Sequence, residues 1–97
     1  MMQYIQEHYR EPVRLEDLAR HVHLSKGECS RIFKATYHTS IMAHVIDCRI
    51  SNSIPLLSGT SLSVGEIALQ CGFNSASYFT KAFREKMGMA PLQYRKK

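Results

Sequence analysis

The chain has 97 residues and a mass of 11.1 kDa, which is the size of one small domain. Its 44% hydrophobic and 22% charged residues exclude disorder, and no apolar run approaches the roughly 18 residues of a membrane span. The net charge is +5, and its distribution is uneven. Residues 1–78 carry as many acids as bases. The surplus sits in Lys81, Arg84, Lys86, Arg95, Lys96 and Lys97, against Glu85 alone. Such a cluster suits a polyanion.

The N-terminus lacks the basic-then-apolar layout of a secretory signal. Cys29, Cys48 and Cys71 are odd in number and far apart, which disfavours a disulfide framework and points to a reducing cytoplasm. His21 and His23 alone do not make a metal site, and no zinc spacing is present. There is no GxSxG, Walker loop or GxGxxG, and no paired carboxylates. We therefore expect no catalytic residues, no metal and no cofactor. Glu16-Asp17 read as the acidic first turn of a helix.

The pattern is helical throughout. Met2 to Arg10 reads as a short helix with Ile5 and Tyr9 on one face, ended by Glu11-Pro12. Leu15, Leu18, Ala19 and Val22 form a buried stripe. Ser25-Lys26-Gly27-Glu28 is a capping box that opens a helix with Cys29, Ile32 and Phe33 inward. A longer helix runs from Ser40 to Leu57 on the stripe Ile46, Ile50, Ile54 and Leu57. Pro55 should bend or end it, and Ser58 to Ser61 read as a loop. Ser63-Val64-Gly65-Glu66 is a second capping box, with Val64, Ile67, Ala68 and Cys71 as its stripe. After a Gly72-Phe73 turn, Asn74 or Ser75 caps a helix with Phe79, Ala82 and Phe83 inward. Gly88 ends it left-handed, and Pro91 starts a last turn through Tyr94.

This is a duplication. Leu15, Leu18, Ala19 and Val22 match Val64, Ile67, Ala68 and Cys71 at an offset of 49. Ser25, Cys29, Ser30, Arg31, Phe33 and Lys34 match Ser75, Phe79, Thr80, Lys81, Phe83 and Arg84 at an offset of 50. Each unit is a short helix, a turn and a second helix, the helix-turn-helix layout whose second helix enters a major groove. We expect an all-α domain with a first unit at 2–38, a linker helix at 40–57 and a second unit at 63–95. The reading helices are 25–37 and 75–87. At about 1.5 Å per residue the linker is roughly 27 Å long, workable for two major-groove faces about 34 Å apart. Lys26, Gly27, Ser30, Arg31 and Lys34 face outward in the first unit, and Ala76, Ser77, Thr80, Lys81 and Arg84 in the second. The alternative is a helical protein-interaction module with an incidental basic C-terminus.

From about Tyr4 to Arg95 the chain resembles the DNA-binding domain of the AraC/XylS family of bacterial transcription regulators. The densest agreement is Ile67 to Ser75, Ser77 to Arg84 and Gly88 to Arg95, with Leu18-Ala19, Leu24-Ser25, Arg31 to Lys34, Arg49-Ile50 and Leu56-Leu57 in the first half. The resemblance implies seven helices, two helix-turn-helix units and a cytoplasmic bacterial regulator. It implies double-stranded promoter DNA as partner and activation through contact with RNA polymerase. It places base contacts at Gly27, Ser30, Arg31, Ala76, Ser77, Thr80 and Lys81. Arg31 is the best candidate for guanine. Phosphate contacts fall to Lys26, Lys34, Ser75 and Arg84, and Arg49 is structural. Members commonly carry a sensing, dimerising or receiver domain ahead of this one, so the chain reads as an excised part of a longer protein, and no effector pocket is inferred from its residues.

Five positions depart from the family pattern. His38 replaces a helix-ending Gly, His44 a Tyr, Ser53 an Ala and Arg14 a capping Ser or Thr, and Pro55 lies inside the linker helix. All lie in the first unit or the linker. We therefore expect the second unit to carry the main contacts and the first to be less stable and to read fewer bases.

Overall fold

The computed structural model describes residues 2–11 and 14–96. Pro12 and Lys97, which entered the sequence reading as a helix stop and a tail charge, lie outside the described residues. Seven helices and no strand occur among those described: α1 (Met2–His8), α2 (Leu15–His21), α3 (Lys26–Tyr37), α4 (Ile41–Gly59), α5 (Val64–Gln70), α6 (Ala76–Met87) and α7 (Pro91–Arg95). None is long and apolar enough to cross a membrane. The chain divides into two compact units, Met1–Cys48 and Arg49–Lys97.

In the first unit, α2 packs on α3. Ile5, Leu18, Ala19, Cys29, Phe33, Ile41 and Val45 form the core, with Met2, Tyr4, Leu15, Val22, Leu24 and Cys48 packed against it. Tyr9 is buried with Ile5, as their spacing in the sequence anticipates. Burial pushes the Cys29 thiol pKa up from its ordinary value. Truncating a fully buried ring such as Phe33 costs about 3–5 kcal/mol.

The helix ends follow local chemistry. Ser25 Oγ accepts from the Glu28 N–H at 3.2 Å, and Glu28 Oε1 accepts from the Ser25 N–H at 3.3 Å, so the capping box is complete. Arg14 gives α2 no side-chain cap. Ser40 Oγ accepts from the Ala43 N–H at 3.1 Å at the start of α4. His38 ends α3 in the left-handed region at φ 59°, and its N–H donates to Lys34 O at 2.8 Å.

In the second unit α5 packs on α6 and α6 on α7. Ile50, Leu57, Ile67, Ala68, Cys71, Phe73, Phe79 and Phe83 are buried. The rings of Phe79 and Phe83 meet edge-on at 5.7 Å, as do those of Phe83 and Tyr94. Buried Ser53 donates its hydroxyl to Ile50 O at 2.6 Å, so the hydroxyl that distinguishes it from alanine is satisfied within its own helix. Ser63 Oγ accepts from the Glu66 N–H at 3.1 Å, forming the hydroxyl half of the second box. Gly88 ends α6 at φ 78°, its N–H donating to Arg84 O at 2.9 Å.

Several expectations change. The first helix stops at His8 rather than Arg10. Ile32 is 44% exposed, not inward. The core stripe of α3 is the i, i+4 pair Cys29 and Phe33, and Ile32 lies about 100° round the helix from Phe33. Val22, Ile46, Ile54, Val64 and Ala82 sit at the margins of their stripes and are half-buried. The linker helix starts at Ile41 and continues through Pro55 to Gly59. Pro55 has no N–H to donate to Ser51 O, and both residues are exposed. The helix end is closed instead at Thr60, whose hydroxyl donates to Leu56 O at 2.6 Å.

Candidate nucleic-acid interface

Both turns that set the angle of the second helix use a left-handed residue. In the first unit it is His23, at φ 59°, and the Leu24 N–H returns to Ala19 O at 2.9 Å. In the second unit it is Gly72, at φ 97°, and the Phe73 N–H returns to Ala68 O at 2.9 Å. The closing bond is the same. His23 accepts a conformation that glycine takes without a Cβ penalty. The sequence reading missed His23, although the offset of 49 places it on Gly72.

Three supports fix α6. Its start is capped by Ser75, whose hydroxyl accepts from the Tyr78 N–H at 3.1 Å. Phe79 and Phe83 anchor one face in the core. Phe73, at the end of the turn, packs against Phe79 with ring centroids 5.1 Å apart. Arg49 is 9% exposed, and its guanidinium lies over the Phe73 ring at 5.8 Å. Burial lowers its pKa, and the charge of nearby Tyr78 opposes that shift. Arg49 is thus held against the turn that aims α6.

The face of α6 opposite its core carries Ala76, Ser77, Thr80, Lys81, Arg84 and Glu85 around an open hollow of about 510 Å³. Thr80 is half-buried and the other five are exposed. Among the described residues, Lys81 and Arg84 make no ion pair. Their charges are available to a ligand.

The corresponding face of α3 differs. Gly27, Ser30, Arg31 and Lys34 are exposed. Lys26 Nζ, by contrast, pairs with Glu16 Oε1 at 3.1 Å. The Glu16 carboxyl is held below its ordinary pKa first by its own backbone hydrogen bond, then by Lys26. Arg20, on α2, is paired with Asp17 at 3.0 Å. Arg31 lies back along its helix, its Nη1 3.5 Å from where a Cβ on Gly27 would stand.

The predicted site residues therefore separate. Gly27, Ser30, Arg31 and Lys34 share α3, and Ala76, Ser77, Thr80, Lys81 and Arg84 share α6. The Ser75 hydroxyl is already used as a cap, which leaves backbone N–H groups rather than that side chain for a phosphate. Arg95, counted with the basic tail, belongs to the fold. It donates from Nε to Leu57 O at 3.0 Å and from Nη2 to Thr60 O at 3.4 Å. The hollow also brings Glu85 onto this face of α6. Among the described residues, no group of three or more His, Cys, Asp or Glu is placed to hold a metal ion.

Comparison with known proteins gives the family and the fold. A family model described as a helix-turn-helix domain matches residues 18–97. A Bacillus subtilis protein described as the uncharacterised HTH-type transcriptional regulator YdeC is 42% identical over 96 residues, covering 99% of this chain and 33% of its own length. The melibiose operon regulatory protein of Escherichia coli is 35% identical over 96 residues, covering 99% of this chain and 32% of its own. The chain thus spans about a third of the length of these relatives. Among solved structures, the DNA-binding domain of the transcriptional factor AdpA, in complex with a target DNA, superposes with a TM-score of 0.91. It is 28% identical and covers 98% of this chain and 86% of that one.

Proposed function

Because the chain belongs to the AraC/XylS family of helix-turn-helix transcription regulators, we propose that it reads double-stranded promoter DNA sequence-specifically by placing α6, and secondarily α3, in the major groove. The carrying observation is the α6 face. Small and polar residues stand beside two unpaired cations on a helix anchored by Phe79 and Phe83. A helix fits the B-DNA major groove, and small side chains let its backbone approach the base edges. Lys81 sits mid-helix among them and is assigned to a base, with Ala76, Ser77 and Thr80 as its neighbours. Arg84, with the N-terminal N–H groups of α6, is assigned to phosphates.

In the first unit Gly27, Ser30 and Arg31 are assigned to bases and Lys34 to phosphate. Lys26 contributes once its bond to Glu16 opens. The whole regulator is taken to activate transcription by touching RNA polymerase, with a sensing, dimerising or receiver domain outside this chain. In vitro transcription with the full-length protein tests that part.

The binding reading is tested by anisotropy titration of labelled duplexes across a salt series. A DNA reader loses affinity steeply with salt and prefers its site over random sequence by orders of magnitude. Lys81→Ala should relax base preference, whereas Arg84→Ala should weaken all sequences alike and flatten the salt slope by about 0.9. Weak binding without sequence preference, abolished by removing Lys96 and Lys97, would refute it in favour of an incidental basic end.

A further inference from the structure

Glu85 is the one residue of the α6 hollow without an assigned task. It lines the same hollow as Ala76, Ser77, Thr80, Lys81 and Arg84. It is exposed, and it forms no hydrogen bond or ion pair among the described residues. The helix dipole disfavours an acid in this last turn, although Lys81 four residues earlier and the flanking Arg84 and Lys86 offset that in the free domain. The fold does not require an acid at this position, since the matching residue of the first unit is Ala35. A carboxylate on a surface that meets phosphates is also repelled by them. Beside DNA the residue therefore costs affinity, unless the DNA offers it a donor.

The major groove offers few donors. A carboxylate only accepts. The accessible donors are the amino groups of cytosine (N4) and adenine (N6). Adenine sets its N7 acceptor beside the amino group, and that lone pair repels the second carboxylate oxygen. Cytosine presents its amino group without an adjacent acceptor of its own. Resting on the DNA-binding reading above, we propose that Glu85 is a specificity-determining residue that selects cytosine at one position of the site by accepting a hydrogen bond from its N4 amino group.

Three proteins test this: the wild-type chain, Glu85→Ala and Glu85→Gln. Each is put through selection of bound duplexes from a random pool, and then through anisotropy titration on duplexes with single-base changes. Thermal melts of the exposed-site variants establish that they are folded. The wild type should enrich cytosine at one position. Glu85→Ala should lose that preference by about 5- to 150-fold and keep the others. Glu85→Gln should move the position toward adenine, because an amide accepts from N6 and donates to N7. The proposal is overturned if both variants keep every base preference while binding all duplexes more tightly by one common factor, with a steeper salt slope. Glu85 would then only repel phosphates. If the wild type enriches no sequence, the DNA-reading proposal itself falls and takes this one with it, a result distinct from the first.

Discussion

The C-caps of α3 and α6 form a matched pair within one chain. His38 and Gly88 lie 50 residues apart, end helices of the same length, and return their N–H to Lys34 O and Arg84 O. Both are left-handed, at φ 59° and 78°. A Cβ added at Gly88 would meet no heavy atom within 4 Å, so the penalty of Gly88→Ala is one of local backbone alone. The left-handed region costs a non-glycine residue about 1–2 kcal/mol. Removing glycine freedom from the unfolded chain recovers about 0.4–1 kcal/mol. The net is a destabilisation of roughly 1 kcal/mol. His38→Gly runs the same sum backwards and should stabilise by up to about 1 kcal/mol. Gly65→Ala is the control. It lies inside α5, where a Cβ would meet only Ser63 Oγ at 3.9 Å, and alanine should stabilise by about 0.5–1 kcal/mol. Urea unfolding followed by circular dichroism measures each variant, as a shift of midpoint at constant slope. If Gly88→Ala proves as stable as the wild type while Gly65→Ala stabilises, left-handed strain does not set the energy of these caps.

Three further predictions follow from the two reading faces and their caps. Lys81→Ala should weaken specific binding more than Ser30→Ala, because a lost bidentate base contact is worth about 1–3 kcal/mol. The reverse order in titration would move the main contacts to α3. Lys26→Ala should flatten the dependence of log K on log salt by about 0.9, and an unchanged slope would show that Lys26 does not leave Glu16 for a phosphate. Glu16 and Glu28 both have carboxyl pKa values lowered in the fold, Glu28 mainly by its side-chain and backbone hydrogen bonds with Ser25. Their contribution is therefore full above the unfolded carboxylate pKa of about 4.3 and is lost as pH falls through the lower folded values. Glu28→Gln, which keeps an acceptor for the Ser25 N–H, should flatten that acid-side loss in pH-dependent unfolding. An unaltered acid limb would contradict it.

What the sequence disclosed was local. The serine caps at Ser25 and Ser75, the glycine stop at Gly88 and the aromatic anchors Phe79 and Phe83 all depend on neighbours within a turn or two, all are where their spacing puts them, and the duplication is that local pattern met twice. The outward faces of α3 and α6 follow from the same periodicity. What it withheld needed partners far along the chain or a finer angle around a helix. Arg95 looked like part of a basic tail because Leu57 O, its acceptor, lies 38 residues away. Lys26 looked available for phosphate because Glu16 belongs to the preceding helix. Ile32 looked buried because one residue of rotation separates it from Phe33. His23 carries no chemical mark of its left-handed backbone, and only its register with Gly72 gives it away. Pro55 left open whether α4 bends or ends there, and the helix runs on past it to Gly59.

The central claim is that this domain specifies a DNA sequence by itself. Selection of bound duplexes from a random pool at near-physiological salt, followed by sequencing, tests it most directly. The account predicts a defined sequence pattern that Lys81→Ala degrades and Ser30→Ala largely preserves. A pool that stays random through successive rounds, with a folded protein in the binding reaction, would contradict it.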